Sequence, residues 1–188
     1  MDGIQSQSVN EVPEPWGAQM THSEKTTLIK EFKHHVNCIS DISDTLGFGD
    51  PFSYNRMREI LMAIELGHDV STVYAGGDAV DENGEEVEYK STIQKKLTAQ
   101  YTGVSVYDDW YEQLSYLKNE KIGGYKYHYI ALFVGHKIKA IYRLTGEQVI
   151  NFTEEAFKES WENRHRRKDP RLSATLSEDQ ILTGKKII

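Results

Sequence analysis

Apolar residues recur at steps of three and four from Leu28 through Phe32, Val36, Ile39 and Ile42 to Leu46, which predicts one long amphipathic helix. Thr21 followed by Glu24 supplies a capping box at its start, and Gly47 a stop at its end. A second helix is expected from Asp50, an N-cap ahead of Pro51, through Met57, Ile60, Leu61 and Ile64 to Gly67. Past residue 74 the helical period gives way to strict alternation. Val87 and Tyr89 alternate with Glu86, Glu88 and Lys90, the pattern of a strand, and the cluster Asp81-Glu82-Asn83-Gly84 turns the chain ahead of it. Helical spacing returns at Tyr107, Trp110, Tyr111, Leu114 and Leu117, started by Asp108 and ended by Gly123-Gly124. Tyr125 to Val134 reads as an apolar and aromatic strand, turned at Gly135-His136 into a second from Ile138 to Leu144. Thr153 is read as the cap of a last helix through Phe157 and Trp161. Two stretches carry no period: residues 1–20, expected as a flexible arm, and Ser91 to Gly103, polar and basic, expected as a loop or extended arm.

This order of elements predicts an α+β protein, with a mixed central sheet and flanking helices. At 188 residues and 38% hydrophobic content the simplest division is one domain over 21–188, holding a helical region (21–67) and a strand-bearing region (74–188). Two tandem apolar stripes exceed what a small sheet needs to cover it, which leaves one for a second subunit. Cys38 is the single cysteine and cannot form an internal disulfide. No charged-then-apolar leader opens the chain, and no apolar run reaches the ~20 residues a bilayer needs, so a reducing cytoplasm fits. His34 and His35 are adjacent on the first helix and point apart, as surface histidines rather than a metal pair. The net charge of −7 argues against nucleic acid until its distribution is read. Residues 121–188 hold 13 Lys and Arg against 8 Asp and Glu, whereas residues 1–120 hold 9 against 21. A basic half can meet phosphates while an acidic half loads metal.

The candidate chemistry lies in Asp78, Glu88 and Lys90, and it depends on the length of the turn. A two-residue Asn83-Gly84 loop would pair Asp78 with Tyr89 and set Asp78 and Glu88 on opposite faces. A three-residue loop from Glu82 to Gly84, with Gly84 left-handed, pairs Asp78 directly with Glu88. Opposed residues have Cβ atoms about 5 Å apart, and opposed like charges repel. A hard divalent cation on oxygen ligands is the expected remedy, with Lys90 as the neighbouring fixed charge. A solvated edge strand carrying cross-strand ion pairs is the alternative reading of the same residues. An EF-hand loop starting at Asp78 fails, because Asn83 stands where its glycine belongs.

Asp78, the ten-residue step to Glu88, and Lys90 one residue beyond resemble the metal site of the PD-(D/E)xK nucleases, with Gly77 in place of the motif's proline. The longer run Asp-Ala-Val-Asp-x-x-Gly-x-Glu-x-Glu-x-Lys-Ser from Asp78 to Ser91 is similar to the PvuII-like type II restriction endonucleases. So are the block Ala140-Ile141-Tyr142-Arg143-Leu144 and the terminal Gly184-x-Lys186-Ile187, and the likeness covers roughly residues 25–188. It implies a restriction-endonuclease-like fold with an N-terminal helical dimerisation region. It implies Mg²⁺ held by Asp78, Glu88 and the backbone carbonyl of Tyr89, and catalysis by Asp78, Glu88 and Lys90, with Tyr116 matching a tyrosine near the metal site. The substrate implied is double-stranded DNA, cut in both strands at a specific, palindromic site by a homodimer, with a cognate DNA methyltransferase in the same system.

Base reading falls, by the same resemblance, to Asn55, Tyr101, Thr102 and Ser105 and to the loop carrying Arg166, Arg167, Lys168, Asp169 and Arg171. Arginine bidentate to guanine is the commonest specific contact, which singles out the three arginines. These reading positions depart from the family. Tyr101 to Val106 replaces adjacent histidines, Tyr54-Asn55 keeps one of two polar groups, and Lys168-Asp169 replaces amides. Retained catalysis with a changed site is the expectation. The rival readings are a repair or junction nuclease with the same metal site, and a DNA-binding protein without catalysis.

Overall fold

The computed structural model describes residues 20–72 and 76–188, so the expected N-terminal arm lies outside the described residues apart from Met20. The chain divides into two compact units between Ile42 and Ser43. The first unit is represented by most of α1 (His22–Thr45). Its capping box closes as expected: the Glu24 N–H donates to Thr21 Oγ1 at 3.2 Å and the Thr21 N–H to Glu24 Oε2 at 2.8 Å. Leu28, Ile29, Phe32, Ile39 and Ile42 are exposed along it.

The second unit opens with α2 (Arg56–Leu66), which starts five residues later than an Asp50 cap suggested. Asp50 makes a turn instead: its Oδ1 accepts the Phe52 N–H at 2.9 Å, and Tyr54 takes a positive φ of 42°, outside helical space. Gly67 ends the helix in the left-handed conformation. There follow β1 (Asp69–Val70), β2 (Ala79–Val80), β3 (Glu86–Thr92), β4 (Ala99–Val104) and α3 (Trp110–Tyr116), which runs on as a π-helical turn over Leu117–Lys121. Then come β5 (Tyr127–Val134), β6 (Lys137–Thr145), α4 (Gly146–Glu162), β7 (Leu172–Leu176), α5 (Glu178–Leu182) and β8 (Lys185–Lys186). Among the described residues this is an α+β protein with five α-helices and a mixed six-stranded sheet in the order β1-β2-β3-β5-β6-β8. β3 and β5 run parallel and the other neighbours antiparallel. No helix among the described residues is long and apolar enough to cross a membrane.

Four local expectations change. The stretch from Ser91 to Gly103, read as a loop, holds β4, which pairs antiparallel with β7 in a separate two-stranded sheet. Asp109 rather than Asp108 caps α3, accepting the N–H groups of Tyr111 and Glu112 at 2.7 and 3.1 Å. α4 begins at Thr145, whose capping box with Gln148 is complete, whereas Thr153 lies buried within the helix and donates its hydroxyl to the Val149 carbonyl at 2.7 Å. A further helix, α5, starts from the capping box of Ser177 and Gln180.

Two cores cover the two faces of the large sheet. Ile130 and Leu144 join Tyr101, Val104, Leu117, Phe157 and Leu172 on one side. Val87, Tyr89, Tyr129 and Phe133 join Met62 and Ala63 of α2 on the other. Phe133 and Phe157 are fully buried, and truncating either to alanine costs about 3–5 kcal/mol. Alternation along β3 therefore buries Val87 and Tyr89 against α2 and turns Glu88 and Lys90 to the opposite face.

Candidate active site

The hairpin between β2 and β3 has the three-residue loop that chemistry required. Gly84 is left-handed at φ 81°, and its N–H donates to the Asp81 carbonyl at 3.0 Å. Asp81 braces the turn by accepting the N–H groups of Asn83 and Glu85 at 2.9 and 3.0 Å. Ala79 pairs with Val87 and Val80 with Glu86, a register that one further step extends to Asp78 opposite Glu88. Asp78 is fixed at both ends: its N–H donates to the Val87 carbonyl at 2.9 Å, and its Oδ2 accepts the Tyr89 N–H at 2.7 Å. Gly77 also finds its reason here. Its N–H donates to Glu86 Oε2 at 3.1 Å, which proline could not do, and a Cβ on it would stand 2.9 Å from the Val87 carbonyl oxygen.

Charge in the site is uneven. Burial, then the Glu88 carboxylate, pushes Asp78 up to about 7, against the opposing pull of Lys90 and the Tyr89 N–H. Burial pulls Lys90 down, but Glu88 and Asp78 outweigh it and hold the ammonium above its ordinary value. Lys90 Nζ donates to Glu88 Oε1 and, at 3.3 Å, to the Tyr89 carbonyl. Asp78, Tyr89 and Lys90 line a cleft of about 330 Å³ whose far wall carries Gln94, Thr98, Gln100 and Thr102.

A third acid enters this cleft. Glu59 of α2 lines it, and its charge is felt by both Asp78 and Lys90. Arg56 pairs with Glu59 at 3.3 Å and is itself anchored on the Phe48 and Ser71 carbonyls. Sequence reasoning missed Glu59 because it sits among the apolar positions of a helix; its only signal is an acid one turn inside that helix. Tyr125 is a second omission. Burial and then the charges of Glu88, Glu86 and Asp78 push its phenol up to about 12. Among the described residues no three His, Cys, Asp or Glu side chains form a ready cage for a cation. Two carboxylates and a carbonyl suit Mg²⁺, which keeps most of its waters or takes phosphate oxygens in their place.

The expected reading residues scatter. Asn55 lines the cleft, where its Oδ1 accepts from Arg58, and Thr102 lies exposed on the cleft wall. Tyr101 is a correction: the alternation of β4 turns it inward, 3% exposed, with its hydroxyl 3.0 Å from His128 Nδ1. Gln100, on the exposed side of the same strand, takes its place in the cleft. Ser105 is exposed just beyond β4, and its carbonyl accepts from Gln113 at 3.2 Å. Tyr116 packs beside Tyr107, ring centroids 5.2 Å apart, in a separate groove and does not line the carboxylate cleft.

In the basic loop, Arg166 and Lys168 are exposed, and Arg167 donates to Ser160 Oγ at 2.9 Å. Arg171 is forked onto Asp169, its Nη2 2.7 Å from Oδ2 and its Nε 3.0 Å from Oδ1. The β4–β7 pairing brings this loop to the cleft wall: a Cβ on Gly103 would lie 3.4 Å from Arg171 Nη1. No protein-family model matches this chain, and no curated protein matches it.

Proposed function

We propose that the chain is a Mg²⁺-dependent endodeoxyribonuclease of restriction-endonuclease-like fold, cutting both strands of duplex DNA at a specific site. The observation that carries this reading is the convergence of Asp78, Glu88 and Lys90 on one face of a hairpin, with Asp78 and Lys90 lining a polar cleft. Two half-buried carboxylates that repel one another suit a divalent cation better than they suit an empty strand face.

Asp78, Glu88 and the Tyr89 carbonyl would hold the Mg²⁺, which when bound polarises a phosphate and lowers the pKa of a bound water. Lys90, kept protonated by the acids around it, acts as a fixed cation and donor to charge building on the phosphate, not as a base. Glu59 pairs with Arg56 and acts on Lys90 by charge alone, while Glu88 is the acid that Lys90 bonds directly. Arg171 reads a base edge from the loop beside Gly103, and Arg166 and Lys168 meet the backbone. The exposed apolar stripe of α1 supports a homodimer, each copy serving one strand of a two-fold site. A cognate methyltransferase would protect the host's own sites.

The test is incubation of plasmid and phage DNA with the protein and Mg²⁺, followed by sequencing of the ends. Double-strand ends at one repeated sequence, abolished by chelator, are expected. Nicks confined to branched DNA would replace this reading with a junction nuclease, and DNA binding without any cut would replace it with a non-catalytic binder.

A further inference from the structure

Tyr101 and His128 are wholly buried side chains that the reading above leaves without a task. His128 Nε2 lies 2.9 Å from the Ile122 carbonyl, which can only accept, so that nitrogen carries the proton. In the neutral ring the other nitrogen, Nδ1, is then the acceptor. The partner of Nδ1 is the Tyr101 hydroxyl, 3.0 Å away. The chain from Ile122 through His128 to Tyr101 thus has one donor and one acceptor at every link and fixes the phenol ring. Above that ring stands Lys90, its Nζ 5.2 Å from the centroid, within the range of a cation–π contact.

The parallel register places His128 beside Glu88 and Ile130 beside Lys90, so the chain is built into the strand pair that carries the site. Lys90 has two kinds of support. Glu88 binds it by charge, and Glu88 is also an expected metal ligand, so that support is shared. A π face does not compete with oxygen ligands for a hard, strongly hydrated cation, so this support is not shared. We propose that Tyr101, locked by His128, is a positioning residue that holds the Lys90 ammonium in place for phosphodiester cleavage. This rests on the nuclease reading.

The experiment compares wild type with Tyr101→Phe, Tyr101→Leu and Tyr101→Met, the last filling similar space without a π face. Cleavage kinetics are read as kcat and KM, and the Lys90 ε-methylene protons are followed by NMR in metal-free protein. Phe keeps the ring but loses the hydroxyl link to His128, so a smaller loss in kcat, up to about threefold, is expected, with the upfield ring-current shift retained. Leu and Met are expected to lose about tenfold in kcat at unchanged KM, with the shift gone. Either non-aromatic variant suffices if the other does not fold. Equal losses in Phe and Met, a wild-type kcat in Met, or no ring-current shift in wild type would overturn the proposal while leaving the nuclease reading intact. An inactive wild type would overturn both.

Discussion

Glu88–Lys90 and Asp169–Arg171 are written alike in the sequence: an acid, one residue, then a base. On the strand β3 that spacing puts both side chains on one face, and they are 14% and 23% exposed. On the loop before β7 the second pair is 58% and 60% exposed, folded together by hydrogen bonds that hold Asp169 down to about 2. Water solvates the loop pair, and an ion pair so exposed adds little to stability. The strand pair sits beside two further acids, Asp78 and Glu59, the second of them paired with Arg56. Spacing alone produces a pair. Burial and an unbalanced neighbour turn a pair into a place where a cation or a charged substrate is wanted.

The comparison breaks most visibly under substitution of the strand pair. Lys90→Ala should lower the cleavage rate by about 10²–10³-fold, and Asp78→Ala by at least as much, with DNA affinity by gel shift within a few-fold of wild type. Near-normal turnover in either would reduce the cleft pair to the status of the loop pair. Arg171→Ala should leave cleavage chemistry intact and erase about 1–3 kcal/mol of discrimination at one base pair of the site, seen as star cutting in end mapping.

Stability separates the two regions in the opposite sense. Asp78 stands at about 7 in the folded protein against an ordinary value of 3.8, so the folded state holds its proton longer than the unfolded state. The stabilisation from that proton is full below about pH 4 and is lost as pH rises through about 7, so metal-free protein should melt lower at pH 8 than at pH 5 from this group. Asp78→Asn should remove the loss and raise stability at pH 8 by on the order of 1–2 kcal/mol while abolishing cleavage. Calorimetry showing a destabilised Asn variant at pH 8 would contradict the burial argument. The smallest effect is expected at the loop, where Asp169→Ala should leave the melting temperature close to wild type in the same calorimetry.

The hairpin was legible in the sequence because its determinants are local. Asp81, Gly84 and the alternation of Val87 and Tyr89 with Glu88 and Lys90 specify turn, register and face within fourteen residues. The rest of the cleft was not legible, because it comes from distant strands and helices. Glu59 reaches Asp78 through the packing of Met62 and Ala63 on β3, and Tyr101 meets His128 because β4 packs on the core side of Ile130 and Leu144. β4 read as a loop since its partner β7 lies some seventy residues on, and the polar side of Gln100 and Thr102 masks the inward Ala99 and Tyr101. Thr153 misled because a threonine within a helix can bond its own carbonyl ladder as readily as cap a new one.

The two-sidedness of β3 has a consequence for heredity. Random codon changes along this strand fall into two classes that alternate residue by residue. Changes at Val87 or Tyr89 remove the protein, because the chain no longer packs on α2. On the proposed function, changes at Glu88 or Lys90 would leave that packing in place in a chain that no longer cuts yet still competes for the same DNA. If copies pair, a dead copy of the second class also silences the living partner it joins. In a population carrying both alleles, single-base changes in neighbouring codons would then be recessive at one position and dominant at the next.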